Sequence, residues 1–293
     1  MRTTGLIATL ALLWGSGFFW IALALDGFTP VQITFARLAL GALVLVPIVL
    51  WRRLPRPAGR TMWLHLTVSA LVGNAIPYTL FAVAEQTVPS SLAGVINATT
   101  PLWTLLLAVA TRSDSRLTSR RAAGVALGFV GVLVVFEPWN GVAGGTATGL
   151  FACIGAAASY GIAYIYQARF LTNRGLSPLT LTAAQLLIAA ALLALALPFS
   201  GALHSPGPLA IVAVLILGII GTGVALIINF QLIATEGATA ASVVTYLVPA
   251  VALLLGVLVL SEPASLALPI GGVLILTGVA ITRARSRPAR PSP

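Results

Sequence analysis

Ten apolar runs of about 20 residues follow one another along this 293-residue chain, separated by short junctions that carry Arg or turn residues. A run of that length crosses the roughly 30 Å hydrocarbon core as a helix, because lipid offers the backbone no other hydrogen-bonding partner. The runs cover roughly residues 5–24, 31–51, 62–84, 92–110, 118–137, 147–168, 178–198, 208–233, 239–260 and 264–282. The chain is 59% hydrophobic and 8% charged, with mean hydropathy +1.04. A soluble domain carries roughly 25% charged residues, so a water-exposed globule is excluded. Disorder, which needs low hydrophobicity, is excluded too. The sequence reads as an all-α integral membrane protein.

The formal net charge is +10, and all sixteen basic residues are Arg. With the N-terminus in the cytoplasm and ten spans, Arg2, Arg52, Arg53, Arg56, Arg60, Arg112, Arg116, Arg120, Arg121, Arg169, Arg174, Arg283, Arg285, Arg287 and Arg290 all fall inside. Only Arg37 is left within a span, and an odd number of spans would destroy this positive-inside split. Both termini are therefore expected in the cytoplasm, with the chain in the cell (inner) membrane. Residues 1–24 have a small-x-small end at Ala22-Leu23-Ala24, but their apolar stretch exceeds a signal peptide's core and is expected to remain as a span. The basic, Pro-rich tail 284–293 suits anionic lipid rather than nucleic acid. A single cysteine, Cys153, excludes an intramolecular disulfide and a Cys-based metal cluster, and no cofactor is expected.

Shifted by about 148 residues, the halves match. Thr29-Pro30 falls on Ser177-Pro178, Ala36-Arg37-Leu38 on Ala184-Gln185-Leu186, Val72-Gly73 on Ile220-Gly221, Ala93 on Ala241, Pro101 on Pro249 and Asp114 on Glu262. Five spans per half is an odd number, so the second half (141–283) is expected upside down relative to the first (1–140), the plan of carriers with a site between inverted repeats. The expected fold is ten transmembrane helices as two inverted five-helix repeats around a central cavity.

In these features the chain resembles the drug/metabolite transporter superfamily, in its EamA-type ten-helix branch. The resemblance covers nearly the whole chain. It is carried by Trp14-Gly15, Pro30 with Phe35-Ala36-Arg37, Ser90-Ser91-Leu92-Ala93 leading to Pro101, Ala240-Ala241-Ser242 leading to Pro249, Ser261-Glu262, and Gly271 with Gly278-Val279. Thr111-Arg112-Ser113-Asp114 departs from the Gly-Glu turn usual in the family.

Pro inside a helix frees a carbonyl about one turn upstream. Pro101 and Pro249 are expected to interrupt both halves at the same depth, and with Pro77 they form the expected kink or gating set. Helix packing alone is their other use. Polar and aromatic side chains near these breaks are the candidate lining of a substrate cavity: Asn74 and Tyr78 on one face of the third run, Asn97 and Thr100, Tyr160 and Tyr164 four residues apart, Gln185, Asn229 and Tyr246. Such amides and hydroxyls also serve as interhelical glue. Trp14 suits a cavity wall or a packing wedge equally. Arg37 is either a structural clamp reaching Asp26, Glu85 or Glu137, or the captor of a substrate carboxylate.

The carboxylates Asp26, Glu85, Glu137 and Glu262 fall at outer ends, and Asp114 and Glu236 at inner ends. None sits mid-membrane, so facilitated diffusion or exchange is expected ahead of proton antiport. The resemblance implies export of small metabolites, with neutral or aromatic amino acids as the expected cargo, by alternating access. Proton-coupled efflux of drugs or aromatic cations is the alternative, and it would prefer a deep carboxylate. No clustered His, Cys or carboxylates suggest an enzyme; a non-transporting membrane scaffold is the rival of another class. The expected partners are a small-molecule substrate and the lipid bilayer, with no nucleic acid. A monomer suffices to hold the pathway, and a dimer is possible.

Overall fold

The computed structural model describes residues 2–111, 118–136, 146–172, 174–201, 205–262 and 265–283; within these, the side chains at 2–3, 230, 233–243, 245–246 and 282–283 fall outside the description. Twelve α-helices account for most of it: α1 (Arg2–Ala24), α2 (Pro30–Trp51), α3 (Arg60–Ala70), α4 (Ile76–Ala84), α5 (Ser90–Asn97), α6 (Thr100–Ala110), α7 (Ser119–Phe136), α8 (Ala147–Phe170), α9 (Pro178–Ala196), α10 (Pro208–Leu215), α11 (Ala225–Leu258) and α12 (Ala267–Arg283). Two π-helical segments, Leu71–Ala75 and Ile216–Val224, join α3 to α4 and α10 to α11. Seven stretches are long and apolar enough to cross a membrane: Thr4–Ala24, Pro30–Trp51, Arg60–Ala84, Ser90–Ala110, Ala147–Phe170, Pro178–Phe199 and Pro208–Asn229. Leu247–Leu258 and Ala267–Ile281 are shorter apolar helices. The molecule is thus an all-helical, multi-span membrane protein.

Local chemistry starts these helices where the sequence turns from polar to apolar. Thr29 caps α2 in a capping box, its hydroxyl accepting from Gln32 N at 3.4 Å while Gln32 Oε1 accepts from Thr29 N at 2.9 Å. Pro30 follows at the first helical position, where its missing N–H costs nothing. Ser177 does the same for α9, accepting from Thr180 N at 3.1 Å ahead of Pro178.

The offset of 148 residues reappears in the elements. Pro30–Trp51 and Pro178–Phe199 are both 22 residues long, α3 and α10 begin at Arg60 and Pro208, and α7 and α12 begin at Ser119 and Ala267. Leu71–Ala75, shifted by the same amount, falls inside Ile216–Val224. The packing follows suit, with α2 against α9, α7 against α12, and α3 against α8 as α10 is against α1.

Two expectations need correction. Pro101 does mark a break, since α5 ends at Asn97 and α6 starts at Thr100, but Pro249 lies inside the continuous α11. The difference has a local cause. Thr99 and Thr100 donate their hydroxyls to Ile96 O (2.7 Å) and Asn97 O (2.8 Å); Ile96 O also accepts from Thr99 N at 2.9 Å in a tighter turn, and Asn97 O is the carbonyl left without an N–H by Pro101. At the shifted positions stand Leu247 and Val248, which cannot compete for a carbonyl. The turn expected near residues 234–238 is also helical, for that stretch holds no Pro to stop it. The chain nevertheless reverses. Leu217 packs at Gly17 and Val251 at Gly15, on one turn of α1, whereas a straight helix would hold those two residues about 51 Å apart.

The main core lies where α1, α4, α5, α8 and α11 meet, around Leu10, Phe18, Phe81, Ile96, Ala156 and Ala252. The α7–α12 pair is closest of all. A Cβ on Gly271 would collide with Val135 and stand 2.7 Å from Gly131 O, so the two backbones touch through glycine. Gly271→Ala is expected to cost about 1–3 kcal/mol by overpacking, read as a lower thermal midpoint of the purified protein in detergent; an unchanged midpoint would mean the pair has slack.

Candidate functional site

The first-half helix α2 brings Arg37 to the second half's π segment. Its Nε donates to Thr222 Oγ1 at 2.9 Å, and Thr222 in turn donates to Leu217 O at 2.9 Å, satisfying a carbonyl inside the π segment. The guanidinium lies over the Tyr78 ring, its Cζ 3.9 Å from the centroid, close enough for a cation–π contact. Tyr78 meets Tyr160 of α8 edge-on at 6.2 Å, Tyr160 tilts over Phe81 at 6.2 Å, and Phe81 meets Phe18 of α1 edge-on at 5.3 Å. Arg37 is held by Nε and by its flat face, and its two Nη groups make no hydrogen bond among the described residues. No carboxylate pairs with it there either. Of the three partners expected for a clamp, Asp26 and Glu85 make no ion pair with it, and Glu137 lies outside the described residues.

The position equivalent to Arg37 is Gln185 on α9, and it makes the reciprocal junction. Gln185 Oε1 accepts from Ser69 Oγ at 2.8 Å and from Gln167 Nε2 at 3.2 Å, beside the first π segment. Ser159 of α8 donates to Val72 O at 2.7 Å, so this π segment also has a carbonyl satisfied by a hydroxyl. π-segments interrupt the regular ladder and often mark functional positions. Here each is held at a junction between first-half and second-half side chains.

The structure gathers Arg37, Tyr78 and Tyr160 into one cluster, with Asn74 buried in the adjoining π segment and Gln185 buried at the reciprocal junction. It does not gather the rest. Tyr164 is 57% exposed. Trp14 is half-buried against the main core, which is the wedge geometry. Asn97 and Thr100 meet at the α5–α6 break through Asn97 O, while Asn229 is half-buried near the start of α11. Pro77 is buried at the start of α4, Pro101 half-buried and Pro249 buried. The side chain of Tyr246 lies outside the described residues. A cleft of about 320 Å³ opens elsewhere, lined by Leu12, Leu13, Phe19, Trp20, Ile216 and Leu255 with Ser16 as its one hydroxyl-bearing side chain. None of the sequence-predicted residues lines it.

Several contributors were not singled out from sequence. Thr222 was findable, because the 148-residue shift carries Asn74 onto it. Ser69 and Gln167 carry no such signal. His65 and Tyr166 join through Nδ1···OH at 2.7 Å, with His65 stacked on Phe170 at 4.7 Å, a contact across 101 residues that gives Tyr166 a specific partner. Glu262 accepts from Ser90 N (2.7 Å) and Ser91 N (3.0 Å), closing the N-terminus of α5 from the far half. Glu85 stands at the end of α4 as the sequence placed it, but the surrounding helices bury its side chain to 9% exposure.

Comparison with known proteins gives the same outline. A model of the EamA-like transporter family matches residues 2–137 and, separately, 147–284. A protein of Archaeoglobus fulgidus named an uncharacterized transporter is 26% identical, over 97% of this chain and 98% of the relative. The uncharacterized inner membrane transporter YedA of Escherichia coli K12 is 27% identical, over 86% of this chain and 81% of its own. A solved crystal structure, 24% identical, superposes with a TM-score of 0.67 over 96% of this chain and 98% of that one, a likeness of fold.

Proposed function

The chain belongs to the EamA-like transporter family, and we propose that it exports small metabolites, in first place neutral and aromatic amino acids, from the cytoplasm by alternating access. In this reading ten spans form two inverted five-helix halves, 1–140 and 141–283, with both termini in the cytoplasm of an inner-membrane protein. A single chain holds the pathway. The match of the family model to each half and the 148-residue recurrence of elements support the two-half plan.

The observation that carries the substrate class is Arg37. Its Nε is tied to Thr222 and its face to Tyr78, so the guanidinium is oriented before a ligand arrives, and the Nη pair is left for a carboxylate. Tyr78 and Tyr160 then offer ring surface to the remainder of the solute. Because Thr222 and Tyr78 belong to different halves, a ligand bridging this cluster is sensed by both. The two π segments supply backbone already departed from regular helix, where rocking of the halves costs least.

The test is uptake of a labelled panel of neutral and aromatic amino acids by the purified chain in liposomes. Saturable uptake competed by unlabelled amino acid is expected; none from folded protein would overturn the substrate. Tyr78→Ala is expected to raise KM about 2–30-fold, the worth of a cation–π wall of about 0.5–2 kcal/mol, with expression unchanged. An unaltered KM would remove Tyr78 from the site. Efflux of a planar aromatic cation is the second reading, favoured by the buried carboxylate of Glu85, which has no hydrogen-bond partner among the described residues; adding such a cation to the same panel separates the two.

A further inference from the structure

Among the described residues, five buried side-chain polar atoms lack a hydrogen-bond partner, and four of them lie together in the chain: both oxygens of Glu85 and the hydroxyls of Ser90 and Ser91. Glu85 is 9% exposed, Ser90 1% and Ser91 0%. Buried polar groups are nearly always satisfied, so such a group calls for an explanation.

The charged neighbours do not supply one. Glu262 lies within electrostatic range but carries like charge, and both its oxygens are committed to Ser90 N and Ser91 N. Arg37 attracts from a distance while held by Thr222 and Tyr78. Among the described residues the Cys153 thiol of α8 is the remaining titratable group in range, and a thiol is a weak donor. An ionised carboxylate buried beside another and without a hydrogen bond is the least favourable state of this corner. A carboxylic acid is neutral and, unlike a carboxylate, can donate. Water is also near, since Gln86 and Thr87, which follow Glu85, are exposed. A small opening of the α4–α5 corner therefore hydrates the group.

We propose that Glu85 is a proton-binding site, taking a proton from water as the α4–α5 corner closes over it and returning that proton to water as the corner opens. The step forms and breaks one O–H bond and needs no other reactant. Its consequence for transport rests on the carrier reading above, and its chemistry does not. The sequence expectation of a facilitator without an ionisable relay counted helix position, whereas what confers this role is burial.

The experiment is infrared spectroscopy of the full-length protein in liposomes, grown with carbon-isotope-labelled glutamate. At neutral pH a protonated-carboxyl C=O band is expected that shifts in deuterated water, bleaches on alkaline titration and is missing from Glu85→Gln. Should Glu85→Gln fail to fold, Glu85→Asp must move the band out of the labelled glutamate set. Absence of a neutral-pH band assignable to Glu85 overturns the proposal. So does a band indifferent to alkali and deuterium, which marks a sealed structural acid, or one bleached by sodium at constant pH, which marks a metal-cation site. In parallel, an imposed gradient of one pH unit should alter amino-acid uptake by wild type by up to about tenfold and leave Glu85→Gln indifferent to the gradient. Equal responses of the two would overturn the coupling. Failure of every panel member to enter, with the band behaving as described, would remove the proposed substrate and leave the proton site standing.

Discussion

Arg37→Gln is expected to lower kcat/KM for amino-acid uptake about 100-fold while leaving uptake of uncharged solutes through the same site far less affected. Two charge-assisted hydrogen bonds from the Nη pair to a carboxylate are worth about 3 kcal/mol together after desolvation, and each 1.36 kcal/mol is a factor of ten. Arg37→Lys keeps the charge but loses the planar fork and the flat contact with Tyr78, so an intermediate loss of roughly tenfold is expected. The clamp reading predicts a different pattern. If Arg37 chiefly ties α2 to the second π segment through Thr222, Thr222→Val should cripple the protein as severely as Arg37→Gln, and both should lower the thermal midpoint. Selective loss for carboxylate-bearing substrates from well-folded protein supports capture. Parallel loss of folded protein in both variants would give Arg37 to the clamp.

That choice was open in the sequence for a physical reason. Apolar run length, Arg placement and the 148-residue repeat depend on the chain's contact with lipid and on local backbone chemistry. They are legible because each is written in consecutive residues. The caps at Thr29 and Ser177 and the break before Pro101 are of this kind. Arg37 could be recognised as an unusual charge in a span, and Tyr78 and Tyr160 as aromatics on helix faces. Their meeting depends on how α2, α4 and α8 pack, which no local pattern encodes. The π segments were also hidden, because Leu71–Ala75 and Ile216–Val224 look like ordinary apolar helix; a carbonyl of the first is taken by Ser159 of α8, and one of the second by the segment's own Thr222, which Arg37 holds. The expectation that Pro249 would mirror Pro101 failed on the neighbours. A Pro breaks a membrane helix readily when flanking hydroxyls compete for the ladder, and Thr99 and Thr100 have no counterpart in Leu247 and Val248. Glu85 shows the same limit, since a residue at a helix end is wet or dry according to what folds over it.

Glu262→Ala is expected to destabilise the protein by about 3–5 kcal/mol. The carboxylate accepts from two backbone N–H groups at the start of α5, at 2.7 and 3.0 Å, and so meets the positive end of that helix with negative charge. It reaches them across 171 residues of sequence, because Gly256 carries no Cβ to collide with its carboxylate. Truncation leaves two donors of buried residues without an acceptor, each costing about 1–3 kcal/mol, and removes the helix–charge attraction as well. Glu262→Gln keeps one acceptor oxygen, so about half the loss is expected. Gly256→Ala should imitate Glu262→Ala by pushing the carboxylate off the two amides without altering its charge. Thermal unfolding in detergent measures all three. A ranking in which Gly256→Ala and Glu262→Ala fall together, with Glu262→Gln between them and wild type, is what a cap shared by the two halves requires. If Glu262→Ala unfolds as late as wild type, α5 is held by its apolar face alone, through Leu92, Val95 and Ile96, and the carboxylate's conformation is a consequence of the fold rather than a cause of it.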